Sequence, residues 1–378
     1  MIASLRNVAE VHLEAARGCN LLCGYCYEAR KPGDAPLLMG LGVALDALEL
    51  VLGNTSCKRI EVVFHGGEPL LQSAIWLESV ALHALRVAAR HDKGIRLAMQ
   101  SNCTLLDDKQ LDVLSRFDVR VGISLDGDTE INDAMRGQAE AVHRNMARFK
   151  QAGVSSGVLC VLGEHNAGHI FRIFNHFKSL GISRVSTTLR RAVGRGANLT
   201  ALTADTIYEG HLEIFRFLQK GGGNALLEKT IAGKISRFLN PPTTEDFRND
   251  LICSHPICGG GITNIYCDTA GNLFPCGLCV QRDDLVLGNL NFLDTKHHID
   301  IVSKMYERMS DRRKRCNNCE ASRICSFGCP AMDPLDEKTA EAECQANIRL
   351  FRFFKSCDRQ ILAEVAKGQE EVRDGSSN

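Results

Sequence analysis

Six short apolar runs alternate with six longer amphipathic stretches over the first 219 residues, and that alternation constrains the fold more than any other feature. The runs are Val11–Ala15, Ile60–Phe64, Ile95–Met99, Val119–Ser124, Gly157–Leu162 and Arg184–Leu189. Each is short and rich in Val, Ile, Leu or Phe, as strands are. Helical spacing is read over Leu41–Leu52, Ser73–Arg90, Asp107–Phe117, Ala139–Ala152, Ala167–Leu180 and Ala204–Gln219. Asp107 and Thr203 stand at N-cap positions, and Gly53, Gly153 and Gly181 follow helix ends. Six strand-then-helix units predict an α/β fold, a parallel sheet with helices outside. Periodicity does not choose between an open doubly wound sheet and a partial barrel.

The pattern stops at Gly221-Gly222-Gly223. One more helical stretch, Ala225–Leu239, leads into Pro241-Pro242. From Cys253 to Cys344 the chain is rich in Gly, Cys, Asn and Asp and poor in long apolar periods. The expectation is that this segment builds no ordinary core and is held by metal clusters. Ile348–Lys367 reads as one helix and Gly368–Asn378 as a frayed tail. Lysine plus arginine equals aspartate plus glutamate at 45 each, which lends nothing to a general nucleic-acid polymer or membrane binder. No apolar run approaches the ~18 residues of a membrane span. The N-terminus lacks a signal-peptide core. A soluble, cytoplasmic protein is expected.

Seventeen cysteines is an odd count in a long chain without an export signal, which favours metal binding over a disulfide scaffold. Cys19, Cys23 and Cys26 lie just after the first strand, with no His at ligand spacing nearby. In α/β folds the carboxyl ends of strands carry the site. A cubic 4Fe–4S cluster has four irons, so three thiolates leave one iron open to a small molecule. His65-Gly66-Gly67-Glu68-Pro69 follows the second strand in the same way. Its glycines let a ligand approach the backbone, and its carbonyls can accept from an ammonium group.

Together, C-x3-C-x2-C with Tyr25 before the last cysteine and the Gly66-Gly67-Glu68 motif resemble the radical SAM superfamily. The resemblance implies a partial (β/α)6 TIM barrel. It also implies that S-adenosylmethionine (SAM) chelates the open iron and is cleaved reductively to a 5′-deoxyadenosyl radical, which abstracts a substrate hydrogen. Ser101-Asn102 stands where the family often has T-N-G, with Cys103 replacing the glycine. Ser124-Leu125-Asp126-Gly127 and the downstream Arg136 resemble the S-x-D-G motif and its arginine. By resemblance Tyr25, Gly66, Gly67, Glu68, Ser124 and Arg136 bind the cofactor, with Arg136 pairing the SAM carboxylate.

Cys258 and Gly271-x4-Cys276 are followed by Cys316-x2-Cys319-x5-Cys325-x3-Cys329 and Cys344. This order resembles the SPASM domain of peptide-modifying radical SAM enzymes, which binds auxiliary 4Fe–4S clusters. C-x2-C pairs also suit zinc, but the upstream triplet and the order of spacings favour iron–sulfur. By resemblance Cys253, Cys258, Cys276 and Cys329 hold one auxiliary cluster, and Cys316, Cys319, Cys325 and Cys344 a second. Cys267 or Cys279 could stand in for Cys253. Three clusters in all are implied. The expected domains are 1–235 for the radical SAM unit, 236–347 for the Cys-rich SPASM domain and 348–378 for the terminal helix and tail.

Among SPASM enzymes the chain is most similar to the anaerobic sulfatase maturases and related peptide cyclases. The maturases carry a catalytic aspartate directly after the cysteine of G-x4-C, whereas Gly277 stands here. The catalytic base is thus unassigned. Eighteen residues precede Cys19, so recognition of a peptide is expected to fall to the barrel mouth or a partner rather than to an N-terminal leader-binding domain. The leading expectation is hydrogen abstraction from a peptide or protein, giving a cross-link or an oxidised side chain, with an electron donor such as flavodoxin or ferredoxin. The alternative is a small anionic substrate, a nucleotide or sugar derivative, held by Arg190, Arg191 and Arg195. An auxiliary cluster would then donate sulfur.

Overall fold

The computed structural model describes residues 2–28, 34–221, 226–240, 258–316, 318–325 and 328–375. In chain order the strands are β1 (Glu10–Arg17), β2 (Leu37–Leu38), β3 (Arg59–Gly66), β4 (Gly94–Ser101), β5 (Arg120–Ser124), β6 (Ser156–Leu162), β7 (Arg184–Leu189), β8 (Leu227–Glu228), β9 (Asn264–Cys267), β10 (Asn272–Phe274) and β11 (Gly288–Asn289). The helices are α1 (Leu41–Asn54), α2 (Ala74–Arg90), α3 (Asp108–Arg116), α4 (Thr129–Asp133), α5 (Ala139–Gln151), α6 (Ile170–Ser179), α7 (Ala204–Gln219), α8 (Lys229–Leu239), α9 (Thr295–Cys316), α10 (Glu337–Ser356) and α11 (Arg359–Gly375).

One mixed, mostly parallel sheet runs in the order β11-β10-β9-β1-β3-β4-β5-β6-β7-β8, with β2 paired antiparallel to β1. Each strand of the series from β3 to β7 is added parallel to the one before it, so the six units expected from the alternation are present in sequence order. Register aligns like residues across neighbours. Leu13 lies beside Phe64, Phe64 beside Met99, Met99 beside Val121, and Ile123 beside Val158. These side chains share one buried apolar core with the helices, as in the edge-to-face contact of Phe64 with Trp76 of α2. The alternate positions Glu10, His12, Glu61, His65, Gln100 and Ser124 fall on the other face of the same strands. Local caps support the helices: Asp107 and Gln110 form a capping box on α3, and Ser73 and Thr203 cap α2 and α7.

Three expectations change. The Cys-rich segment does contribute to a core: Ile265, Tyr266, Leu273, Phe274 and Leu287 are buried with the rest. It can do so because β9 pairs with the free edge of β1, Val11 beside Ile265 and Leu13 beside Cys267. One core and one sheet therefore run across the boundary expected at 235. The terminal helix is two helices, because α10 starts earlier, where Asp336 accepts from the Thr339 N–H, and α11 restarts where Asp358 accepts from the Gln360 N–H at 2.8 Å. The helix read over Ala167–Leu180 begins with a separate turn at Ala167–His169, and α6 proper starts at Ile170. Among the described residues no helix is long and apolar enough to cross a membrane.

Candidate active site

The three-cysteine loop leaves the carboxyl end of β1 and is pressed from two sides by glycine-bearing loops. On one side Gly67 follows β3, and its N–H donates to the Ala16 carbonyl at 2.9 Å. A Cβ at Gly67 would lie 2.2 Å from the Gly18 carbonyl oxygen, and one at Gly66 would lie 2.4 Å from that of Ala16. On the other side the loop after β7 donates the Arg195 N–H to the Cys26 carbonyl at 2.9 Å. There Gly194 has φ +58°, and a Cβ would meet the Tyr27 carbonyl oxygen at 2.0 Å. Only glycine permits both approaches.

Burial pushes the Cys19 thiol up to about 12 and the Cys26 thiol up to about 11, with Cys23 close enough to add to both. Burial also raises Cys23, opposed by the nearby Arg136 guanidinium. Thiols in that range keep their protons near neutrality unless a metal replaces them. Cys19 Sγ accepts from the Leu21 N–H at 3.3 Å and from Asn102 Nδ2 at 3.4 Å, the kind of N–H···S contact that supports a metal-bound thiolate. The triplet thus fits an iron–sulfur cluster. Among the described residues no three Cys, His, Asp or Glu side chains converge as ligands of a single ion. A cubic cluster does not require that, since each thiolate takes a different iron.

Glu68 sits behind this loop with none of its surface exposed. One carboxylate oxygen accepts from the Leu70 N–H and the Ser101 hydroxyl, and the other from the Asn102 N–H at 2.8 Å. Burial lifts its carboxyl to about 7 against these bonds. Glu68 thereby ties the β3 loop to the β4 end, and Asn102 carries the connection on to Cys19. The next residue, Cys103, is buried with φ +60°, the left-handed region where a glycine is at ease.

Tyr25, Asp126, Arg136 and His165 form a second support. Asp126 is fully buried and accepts from the Tyr25 hydroxyl and, at 2.8 Å, from the Val161 N–H. Arg136 Nε lies 3.0 Å from Asp126 Oδ2, and His165 Nε2 lies 3.5 Å from it. Arg136 also stands over the Tyr25 ring, 5.2 Å from its centroid, and His165 stacks on it at 5.8 Å. Burial would raise the Asp126 carboxyl, but Arg136, His165 and Tyr25 outweigh it and hold it at about 2. Arg136, expected to pair with the SAM carboxylate, has Asp126 as its carboxylate in this structure. Ser124 accepts from Gln100 Nε2 at 2.8 Å. Asp126 was visible in the sequence as part of the S-x-D-G resemblance but was given no role there, and nothing marked His165.

The later cysteines fall into two groups. Burial chiefly raises the Cys258 and Cys329 thiols, Cys276 adds to both, and Cys258 adds to Cys329. Cys279 Sγ is 3.7 Å from Cys276 Sγ. Cys253 lies outside the described residues. Cys316, Cys319 and Cys325 surround Cys344, whose thiol is raised to about 11 chiefly by burial. Gly277, next to Cys276, lies under Tyr266: a Cβ there would be 2.8 Å from the ring and 3.6 Å from His65 Cε1. His65 is half-buried, desolvation lowers its ring to about 3, and among the described residues its Nδ1 has no hydrogen-bond partner.

Two of the three arginines in the loop after β7 are paired within the chain. Arg190 grips Glu164 through Nη2, 2.8 Å from each oxygen, and Arg191 pairs with Glu343 at 2.7 Å and Asp333 at 3.4 Å. Internal carboxylates, unseen in a local reading, already occupy both.

Residues 13–177 match the Radical SAM superfamily. A cysteine-type anaerobic sulfatase-maturating enzyme of Clostridium perfringens is 25% identical over 349 residues, covering 83% of this chain and 86% of that one. The structure of native anSMEcpe with bound AdoMet and Cp18Cys peptide superposes with a TM-score of 0.74 at 21% identity, over 95% of this chain and 98% of that one. Streptococcus suis SuiB bound to precursor peptide SuiA gives 0.58 at 13% identity, over 76% of this chain and 64% of that one. These two likenesses are of fold. Residues 13–177 thus carry the Radical SAM match, in a chain that is similar along most of its length to an anaerobic sulfatase-maturating enzyme.

Proposed function

We propose that the chain modifies a peptide or protein by radical chemistry, with Cys19, Cys23 and Cys26 holding a 4Fe–4S cluster and SAM taking the fourth iron. The six β/α units would then be the partial barrel, and the later cysteines the SPASM clusters. The observation that carries this is the three-cysteine loop at the strand ends, braced by Gly67, Gly194 and the Asn102 contact to Cys19. Bound there, cluster and SAM would supply a 5′-deoxyadenosyl radical able to take a substrate hydrogen. The chain's own part is positional. Glu68 and Asn102 set the Cys19 thiolate, while Asp126 and Arg136 hold Tyr25 in place.

A peptide substrate is favoured over a small anion because Arg190 and Arg191 are already paired. The peptide-bound relatives point the same way. Gly277 separates the reaction from that of a dedicated maturase, since no carboxylate fits beneath Tyr266 without displacing the ring.

Reconstitution tests this reading directly. Three clusters predict about twelve irons per chain. Cys23→Ala should abolish reductive SAM cleavage while auxiliary-cluster absorption persists; cleavage in that variant would remove the triplet from the site. With SAM, dithionite or a flavodoxin-type donor, and peptides encoded beside the gene, a peptide should lose a pair of hydrogens by mass. Turnover of an anionic metabolite alone would sink the peptide reading.

A further inference from the structure

Lys234, on α8, is 6% exposed, yet among the described residues it makes no ion pair with a carboxylate. A buried ammonium is unfavourable unless an anion compensates it. Its Nζ donates to Asn347 Oδ1 at 2.7 Å. Asn347, itself 2% exposed, directs Nδ2 at Cys325 Sγ at 3.7 Å. The amide is thus clamped between an ammonium and a thiol, with its N–H end on the sulfur. Cys344 lies one turn before Asn347 on α10, so both face the same region. One turn beyond Lys234, Arg237 donates to the carbonyl of Ile324, the residue before Cys325, at 3.3 Å. Two cations of α8 therefore converge on the loop that carries Cys325. Burial lowers the Lys234 ammonium; Cys325, Glu343 and Glu228 oppose that, and Arg237 adds to it. The adjoining His211 ring, also buried, stays neutral and brings no counter-charge.

Of the two nearby carboxylates, Glu343 is paired with Arg191 and Glu228 accepts from the first N–H groups of α8, so neither touches the ammonium, and the four cysteines would supply a further anion. A cluster ligated by four thiolates carries net negative charge, and reduction adds one more electron. A fixed positive charge nearby in a poorly solvated interior stabilises the reduced form, as does an N–H···S bond. We propose that Lys234, acting through Asn347, raises the reduction potential of the cluster held by Cys316, Cys319, Cys325 and Cys344 and so favours its one-electron-reduced state. The inference rests on the reading that these cysteines bind a cluster. Lys234 touches neither cluster nor substrate, so its role is to tune and position.

The test needs no substrate. In full-length protein with Cys19, Cys23 and Cys26 changed to Ala, only the auxiliary clusters remain, about eight irons. A dithionite titration followed by electron paramagnetic resonance then reads their couples. Lys234→Met and Lys234→Gln should keep the iron and make one couple harder to reduce by about tenfold, about 59 mV for one electron. The second couple should stay in place, and Lys234→Arg should restore the first. Eight irons with both couples unmoved in Lys234→Gln would overturn the proposal and leave the clusters standing. About four irons in the parent would overturn the second cluster and the proposal together. If Lys234→Met fails to fold, Lys234→Gln, which keeps a polar donor in place of the ammonium, decides.

Discussion

Arg136 Nε lies 3.0 Å from Asp126 Oδ2, and the acid of this pair is wholly buried. The pair holds Tyr25, the residue before the last cysteine of the triplet, by its hydroxyl and by its ring face. Asp126 stays ionised across the working range because Arg136, His165 and Tyr25 outweigh its burial. Asp126→Asn leaves a buried guanidinium without its counter-charge, which costs about 3 kcal/mol or more. Chemical denaturation at pH 7.5 checks this, and a variant within about 0.5 kcal/mol of the parent would contradict it.

Glu68 predicts a pH dependence of the opposite kind. Its carboxyl is raised in the fold to about 7 from 4.5, so the folded state binds the extra proton. Stability from this group therefore falls as pH rises from about 4.5 to about 7 and is level above that. The span is at most about 3 kcal/mol. The unfolding free energy of the parent minus that of Glu68→Gln should fall as pH rises from about 5.5 to about 7 and stay level from there to about 8. A difference independent of pH would show that Glu68 ionises normally.

At Gly194, φ +58° and the Tyr27 carbonyl leave no room for a side chain. Gly194→Ala should dislodge the cysteine loop and lose the triplet's irons, about four of about twelve, with the auxiliary clusters retained. Iron and sulfide analysis after anaerobic reconstitution reads this. A full complement of iron in the variant would show that the loop tolerates the shift.

Gly277 makes a prediction about packing. Its added Cβ would press on the Tyr266 ring at 2.8 Å, and that ring is 1% exposed and cannot swing away. Gly277→Ala should cost about 1–3 kcal/mol. In a Tyr266→Leu background the cost should largely vanish, a coupling that a double-mutant cycle measures. Additive effects would place the strain elsewhere.

The six strands and their helices were legible because their period repeats locally: Val11, Leu13 and Ala15 announce the buried face of β1 without any knowledge of its neighbours. Cys19, Cys23 and Cys26 were legible because their spacing is short. The edge that β9 adds to β1 was not, since four residues carry too little periodicity, and their partner lies some 250 positions away. Arg190 and Arg191 looked like a free basic loop because Glu164, Asp333 and Glu343 are remote in sequence or unremarkable in it.

Spacing along the chain determined by itself that this is an α/β protein with a three-thiol loop after its first strand and a cysteine-rich segment behind it. Periodicity and short spacings are properties of neighbouring residues, so they survive without a fold. Tertiary structure alone decided which charges are spent and which remain. It buried Glu68 behind the loop, gave Arg136 to Asp126, and left Lys234 facing Cys325 through Asn347. Electrostatic partnership acts through space and depends on exclusion of water, and neither is written in the order of residues.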